Sequence, residues 1–309
     1  MEPNGILPLW KEPGMTSHDC VFRLRKILRT KKVGHTGTLD PQVDGVLPIC
    51  LGRSTKVAEY ITDQGKTYEA EVLIGFSTET EDAEGAVVAR DTSEKTITRK
   101  QLEAVLKSLT GEIQQIPPMY SAVKVDGRKL YEYARKGQTV ERPVRTVQID
   151  SIELLGEADA WSGQNIRFRI RIRCGKGTYI RTLAVQIGEA LGYPAHMSQL
   201  TRTQSGSFTQ EQCVTLAEVE EIAQNGDIGS ILQPLAYGLS AFPFEEIPAD
   251  LLFGIKNGQV LEEHPALKAE PLVVFTYQGE PAALYKRHPD KPGKMKPEKM
   301  FGFPPTDEV

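Results

Sequence analysis

Residues 34–41 read Gly34-His35-Thr36-Gly37-Thr38-Leu39-Asp40-Pro41, and the chain continues through Gly45-Val46-Leu47-Pro48 to Gly52-Arg53. The stretch sets one carboxylate, Asp40, in a glycine-bracketed loop directly after a basic segment. Arg23, Arg25, Lys26, Arg29, Lys31 and Lys32 supply six positive charges, and no acidic residue stands between them and Asp40. A lone acid facing a cationic surface points to chemistry on a polyanion.

The 309 residues around this loop exceed what one hydrophobic core usually organises, so two domains are expected. Hydrophobic residues at 39% and charged residues at 25% exclude a disordered or fibrous chain. The net charge of −4 excludes a protein that is basic all over, so any nucleic-acid surface has to be a local patch. Two acidic stretches, Glu79, Glu81, Asp82, Glu84, Asp91 and Glu94, and Glu218, Glu220 and Glu221, read as solvated faces. Cys20, Cys50, Cys174 and Cys213 are scattered and contain no C-x-x-C pair, which predicts reduced, mostly buried thiols. The N-terminus lacks a basic segment followed by an apolar run, and no stretch approaches the roughly 18 apolar residues that span a bilayer. A cytoplasmic location is therefore expected.

Periodicity places the motifs. Ser17 is a good N-cap for a helix running to about Thr30, with Val21, Leu24 and Leu28 on its apolar side. Lys66 to Gly75 alternates, so Tyr68, Ala70, Val72 and Ile74 form one row of a strand. Thr98 and Gln101 form a capping box for a helix that Gly111 is placed to end, and Thr215 with Glu218 starts another ending near Gly226. From Asn165 to Cys174, Ile166, Phe168, Ile170, Ile172 and Cys174 alternate with four arginines. After Gly175-Lys176-Gly177-Thr178-Tyr179 the period becomes helical up to Gly192, so Tyr179 and Arg181 stand at a strand-to-helix junction. Residues 229–243 read as a linker. Beyond them, Leu272 to Tyr277, the Gln278-Gly279 turn and Ala282 to Tyr285 predict a hairpin in a small β-rich domain, with a lysine-rich tail.

Several chemistries are unsupported. The five histidines lack H-x₃-H or H-E-x-x-H spacing, the 175–178 glycines lack the Walker spacing, and no G-x-S-x-G elbow is present. What remains is Asp40, Tyr68, Tyr179 and Arg181 beside cationic strands and helices. That set suits covalent or electrostatic catalysis on a nucleic-acid base without a cofactor.

Residues 34–48, Lys66-x-Tyr68, Ile116-Pro117-Pro118-x-Tyr120-Ser121-Ala122-x-Lys124, Gly177-Thr178-Tyr179-Ile180-Arg181 and Lys11-x-x-Gly14-Met15-Thr16-Ser17 together resemble the TruB family, the bacterial tRNA pseudouridine-55 synthases. The resemblance covers about Gly5 to Leu235 and is weaker beyond. It implies an α+β pseudouridine synthase fold, with a central mixed, mainly antiparallel sheet flanked by helices and loops. The catalytic domain would span residues 1–240, with an RNA-gripping insertion at about 113–145, and residues 241–309 would form a PUA-like RNA-binding domain. The implied reaction isomerises the T-loop uridine at position 55 of tRNA, without cofactor or metal.

By the same resemblance Asp40 is the nucleophile, and a single ionised aspartate serves equally for attack on the ribose, attack at C6 or loss of a 2′ proton. Arg181 would pair with Asp40, keep it ionised and orient it. Tyr68 would stack on the uracil and relay the C5 proton. His35 would be the wedge that fills the space of the flipped base. Tyr179 and Leu200 would wall the pocket, and Lys11, Lys124, Arg128 and Arg142 would contact RNA. Between Lys124 and Arg145, seven cations against three carboxylates leave +4, a phosphate-gripping balance that makes binding salt-sensitive. The expected partner is the tRNA T arm alone, with no membrane, no obligatory protein partner and a monomeric state.

Three competing readings have distinct signatures. A guide-RNA-dependent pseudouridine synthase would need protein partners, and the long 113–145 segment argues against it. A non-catalytic RNA-binding module would have no use for Asp40, Tyr68 and Arg181. A glycoside hydrolase using Asp40 with Asp44 would need two carboxylates at a defined separation across a sugar.

Overall fold

From Ile166 to Cys174 every second side chain is buried and every arginine between them is exposed, and this strand sets the face of the sheet around it. The computed structural model describes residues 2–302. The elements that position functional residues begin with strand β1 (Gly5–Lys11), helix α1 (Ser17–Ile27), strands β2 (Val33–His35), β3 (Asp44–Leu51) and β4 (Lys66–Ile74). Helix α2 (Arg99–Ser108) and strands β5 (Gly111–Gln115), β6 (Arg145–Leu155) and β7 (Ile166–Cys174) follow. Helix α3 (Ile180–Leu191), strand β8 (Ala195–Ser205) and helix α4 (Leu216–Gln224) come next. The chain then adds β9 (Phe244–Glu246), β10 (Leu261–Glu262), β11 (Leu272–Tyr277), β12 (Glu280–Arg287) and β13 (Lys294–Met300). These described residues pack as two units, one made of residues up to Gln42, Val46–Thr62 and the chain from Ser207, the other of Val43–Gly45 and Asp63–Gly206.

The second unit is built on strands ordered β8-β4-β7-β6-β5, each antiparallel to its neighbour. Asp44 and Gly45 at the start of β3 pair with Thr201 and Arg202 of β8 in parallel, which makes the sheet mixed. Tyr68 lies opposite Ile172 and Ala70 opposite Ile170, so the Tyr68 row shares the buried face of β7. On the other face the arginines meet acids: Arg167 with Glu71 at 2.6 Å, Arg169 and Arg171 with Glu69 at 3.0 and 2.9 Å, and Arg173 with Asp150 at 4.0 Å. Cross-strand pairing of this kind neutralises the row while adding under about 1 kcal/mol per exposed pair. Helix α2 carries the Thr98–Gln101 capping box, but it stops at Leu109, and Gly111 (φ 100°) opens β5 instead of ending the helix. Gly192 (φ 83°) does end α3.

In the first unit, the N-cap of α1 is Thr16, not Ser17. Thr16 Oγ1 accepts the Asp19 N–H at 3.1 Å, while the Asp19 carboxylate accepts the Thr16 N–H at 2.8 Å. The helix closes at Ile27, before Arg29 takes a left-handed φ of 50°. One core of this unit gathers both ends of the sequence, with Ile6, Val46, Cys50 and Ile61 packed in a cluster with Phe208, Val274, Leu284 and Phe301. Residues 229–243, read as a linker, instead form turns at Ile228–Ile231 and Leu235–Leu239, and Leu235 and Leu239 are buried in that core. The C-terminal strands form a five-stranded sheet in the order β9-β11-β12-β13-β10. Its predicted hairpin is present. Gln278 and Gly279 both have positive φ (52° and 78°), as a two-residue turn between right-twisted strands requires. No helix among the described residues is long and apolar enough to cross a membrane.

Candidate active site

The Asp40 loop connects β2 and β3 and is pinned on both sides of the carboxylate. At its start the Thr36 N–H and Oγ1 both donate to the Pro48 carbonyl, at 3.1 and 3.0 Å. Immediately before Asp40, Leu39 is held by Ser17, whose hydroxyl accepts the Leu39 N–H at 2.9 Å and donates to its carbonyl at 3.3 Å. Immediately after Asp40, the Pro41 carbonyl accepts the Gly14 N–H and the Lys11 ammonium, each at 3.0 Å. With residues 39 and 41 both fixed, Asp40 has little backbone freedom, and its side chain is half-buried. His35 stands on β2 opposite Ile49 and is half-buried.

Lys11 thus departs from the RNA contact that its motif suggested. Its side chain is 0% exposed and Nζ turns inward onto the Glu12 and Pro41 carbonyls, so the charge braces the Asp40 loop. The Lys11-x-x-Gly14-x-x-Ser17 motif supplies three of the loop's pins.

In the second unit, the Tyr68 row is completed by β8, where Leu200 lies opposite Ala70 and Arg202 opposite Tyr68. Tyr68 is 8% exposed and Leu200 half-buried. Two cations share this row, Lys66 on β4 and Arg202. Burial pushes the Lys66 ammonium down to about 8, and the charge of Arg202 adds to the depression. The row therefore offers an aromatic face beside concentrated positive charge in a low-dielectric setting, suited to an anion forming on a flat ring.

Tyr179 caps α3 and Arg181 occupies its first turn. The Tyr179 backbone is held by a buried side chain, Gln115, whose Oε1 accepts the Tyr179 N–H at 2.9 Å and whose Nε2 donates to its carbonyl at 3.2 Å. Arg181 is 5% exposed and its guanidinium donates to the Thr80 carbonyl at 3.0 Å and the Tyr120 carbonyl at 2.9 Å. Asp82 lies 3.7 Å from it and is itself fixed by Thr80 Oγ1 and the Glu84 N–H. Next to it, Thr182 donates to Glu81 at 2.7 Å. Burial raises the Glu81 carboxyl above its ordinary range, against the pull of the Thr182 hydroxyl and the Arg181 charge. The acidic stretch read as a solvated face is thus in part the half-buried seat of Arg181.

The cationic candidates differ in kind. Lys124 and Arg128 are exposed on a short hairpin, Lys124–Val125 with Arg128–Lys129. Arg142 is half-buried and donates to the Pro117 carbonyl at 3.0 Å, which ties it to the segment that supports Arg181. The structure therefore groups Lys11, His35 and Asp40 in one unit, and Tyr68, Leu200, Tyr179, Arg181, Lys124, Arg128 and Arg142 in the other.

The mixed sheet and its junctions are those of a pseudouridine synthase. Residues 25–180 match the model of the TruB family pseudouridylate synthase N-terminal domain, and residues 181–240 that of the tRNA pseudouridylate synthase B C-terminal domain. The chain is 54% identical over 297 residues to tRNA pseudouridine synthase B of Bacillus cereus, covering 96% of this chain and 97% of the relative. It is 54% identical over 301 residues to tRNA pseudouridine synthase B of Geobacillus thermodenitrificans, covering 96% and 99%. Among solved structures, that of a Cbf5-Nop10-Gar1 complex matches with a TM-score of 0.72 at 29% identity, covering 96% of this chain and 84% of that one. The chain belongs to the TruB family of pseudouridylate synthases.

Proposed function

We propose that this chain isomerises the T-loop uridine at position 55 of tRNA to pseudouridine, with Asp40 as nucleophile and without a cofactor. The observation that carries this reading is the Asp40 loop, a half-buried carboxylate whose two neighbours are both pinned, in a chain of this family. The reaction breaks the N1–C1′ bond, forms a C5–C1′ bond, releases the C5 proton and returns a proton to N1, so that no atom is gained or lost.

In this mechanism Asp40 acts on the flipped nucleoside and Arg181 supplies the charge that keeps it ionised. Tyr68 stacks on the uracil and relays the C5 proton. Lys66 and Arg202 stabilise the uracil anion formed as the glycosidic bond breaks. His35 wedges into the stack, Tyr179 and Leu200 wall the base, and Lys124, Arg128 and Arg142 meet phosphates. Lys11 acts through the Asp40 loop. Residues 1–240 form the catalytic domain, and 241–309 a PUA-like domain that extends the footprint on the RNA.

The Cbf5 structure holds Nop10 and Gar1; this chain, in our reading, works in the cytoplasm as a monomer on the tRNA alone. Tritium release from a C5-labelled T-arm stem-loop, with no other protein or guide RNA, tests the activity and its independence from partners. Wild-type enzyme is expected to release tritium, and a transcript with cytidine at position 55 to release none above background. Asp40→Asn is expected to abolish release while leaving tRNA affinity within about tenfold, roughly 1.4 kcal/mol. Appreciable turnover by Asp40→Asn would overturn the nucleophile assignment.

A further inference from the structure

We infer that the outward face of α1 is a second RNA-contact surface, on which Phe22 stacks against an unpaired base while neighbouring cations hold phosphates. The inference rests on the tRNA reading above and extends it to a part of the chain with no role in the chemistry.

Helix α1 buries Ser17, Cys20, Val21 and Leu24. Phe22, on the opposite side, is 53% exposed, and the Lys26 ammonium lies 4.5 Å from its ring centroid. A phenylalanine more than half exposed in the middle of a polar helix face adds little to the core. With a cation one turn away it forms a preorganised platform for a base and its phosphate.

The charges on this face behave unlike the other cationic row of the molecule. Every arginine of β7 is bridged to a carboxylate. Among the described residues, Arg23, Lys26, Arg29 and Lys31 make no salt bridge, although Arg23 and Lys26 stand one turn apart in the helix, where like charges are destabilising. Helix α4 packs beside α1 and carries Glu218, Glu220 and Glu221, yet no salt bridge joins the two helices, and Glu218 is engaged in its own cap with Thr215. An external polyanion relieves this repulsion. A single flat ring among cations fits stacked bases and phosphates better than a lipid surface, which would call for a broad apolar face.

The position of the helix fits such a role. Its first residue, Ser17, is the one that holds Leu39 beside Asp40, and from there α1 extends about 16 Å at 1.5 Å per residue. RNA lying along it would be held next to the loop that carries the nucleophile.

Filter binding of a full-length tRNA transcript across a range of salt concentrations tests the inference with three full-length variants whose fold is checked by circular dichroism. Phe22→Ala is expected to raise Kd about tenfold with an unchanged salt slope, since base stacking carries about 1–3 kcal/mol per base and no charge. Phe22→Tyr is expected to bind as wild type and Phe22→Leu as poorly as Phe22→Ala. The triple variant Arg23→Gln, Lys26→Gln, Arg29→Gln is expected to flatten the slope of log Kd against log salt by about 2–3. Wild-type Kd and slope in Phe22→Ala and the triple variant, or full rescue by Phe22→Leu, would overturn the inference. Tritium release by wild type is scored separately, so a failed activity reading is distinguishable from a failed surface.

Discussion

Replacing Lys11 by methionine keeps the apolar stem and removes the ammonium, and so separates a loop brace from a phosphate contact. Lys11 is wholly buried and donates to the carbonyls of Glu12 and Pro41, both at 3.0 Å. Hydrogen bonds from a charged donor are worth about 1.5–3 kcal/mol each. Two terms reduce the loss: methionine avoids the desolvation of a buried ammonium, and the Pro41 carbonyl keeps the Gly14 N–H at 3.0 Å. A net destabilisation of about 2–3 kcal/mol follows, which for a chain of this size lowers Tm by roughly 3–5 °C.

The larger effect falls on turnover. Lys11 fixes the residue directly after Asp40, and a displacement of about 1 Å at a reacting group costs on the order of 10²-fold in rate. Lys11→Met is therefore expected to lower kcat about a hundredfold by tritium release, with Kd for tRNA within about twofold. The salt slope should match wild type, because the charge removed never meets solvent. A variant with wild-type Tm and a salt slope smaller by about one would refute this reasoning and return Lys11 to the RNA-contacting set.

Gly45→Ala should be severe. At φ 129° an added Cβ would sit 2.3 Å from the carbonyl oxygen and 2.6 Å from the nitrogen of Arg202, backbone atoms that cannot rotate away. A loss of about 3 kcal/mol is expected as a lower urea midpoint, and an unchanged midpoint would refute the packing argument. Glu81→Gln tests the buried acid beside Arg181. The Glu81 carboxyl is raised above 4.5 by burial, so the native state holds this proton more tightly than the unfolded chain. Its contribution is full below the ordinary value and is lost as pH rises through the raised one. The Tm difference between Glu81→Gln and wild type should thus move in the variant's favour as pH rises from about 4 to 7, and a flat difference would remove Glu81 from the account.

Elements whose cause is local were legible in the sequence. The alternation of β4 and β7 needs only a buried face, and the caps of α2 and α4 need only residues three positions apart. The misplaced cap of α1 has the same local logic, since Thr16 has Asp19 three residues on whereas Ser17 has Cys20, which cannot close a capping box. Ser17 is thereby left to turn inward onto Leu39. The 229–243 segment looks like a linker in sequence because its burial is decided by partners far away along the chain, such as Ile6, Val274 and Phe301. Asp40, His35, Tyr68 and Arg181 were visible as family motifs. Gln115, Glu81 and Asp82 were not, because they act on Tyr179, Thr182 and Arg181 across 64 to about 100 residues of chain. The available signal was a glutamine ending a strand just before Ile116-Pro117-Pro118, and the alternation Thr78-x-Thr80-x-Asp82.

Charge shows most clearly what composition conceals. A net charge of −4 contains two cationic segments, the four arginines of β7 and the six cations from Arg23 to Lys32. Strand pairing places Glu69, Glu71 and Asp150 beside the first, so its cations are satisfied internally and contribute little to an external field. The run through α1 has no such ladder among the described residues: Lys32 meets Glu2 at 3.9 Å, Asp19, one turn before Arg23, is engaged in the cap with Thr16, and Lys26 lies against Phe22. The positive potential available to RNA therefore depends on which cations lack a carboxylate at the neighbouring structural position. By that criterion the segment that leads into Asp40 outweighs the strand whose arginines are the more conspicuous in the sequence.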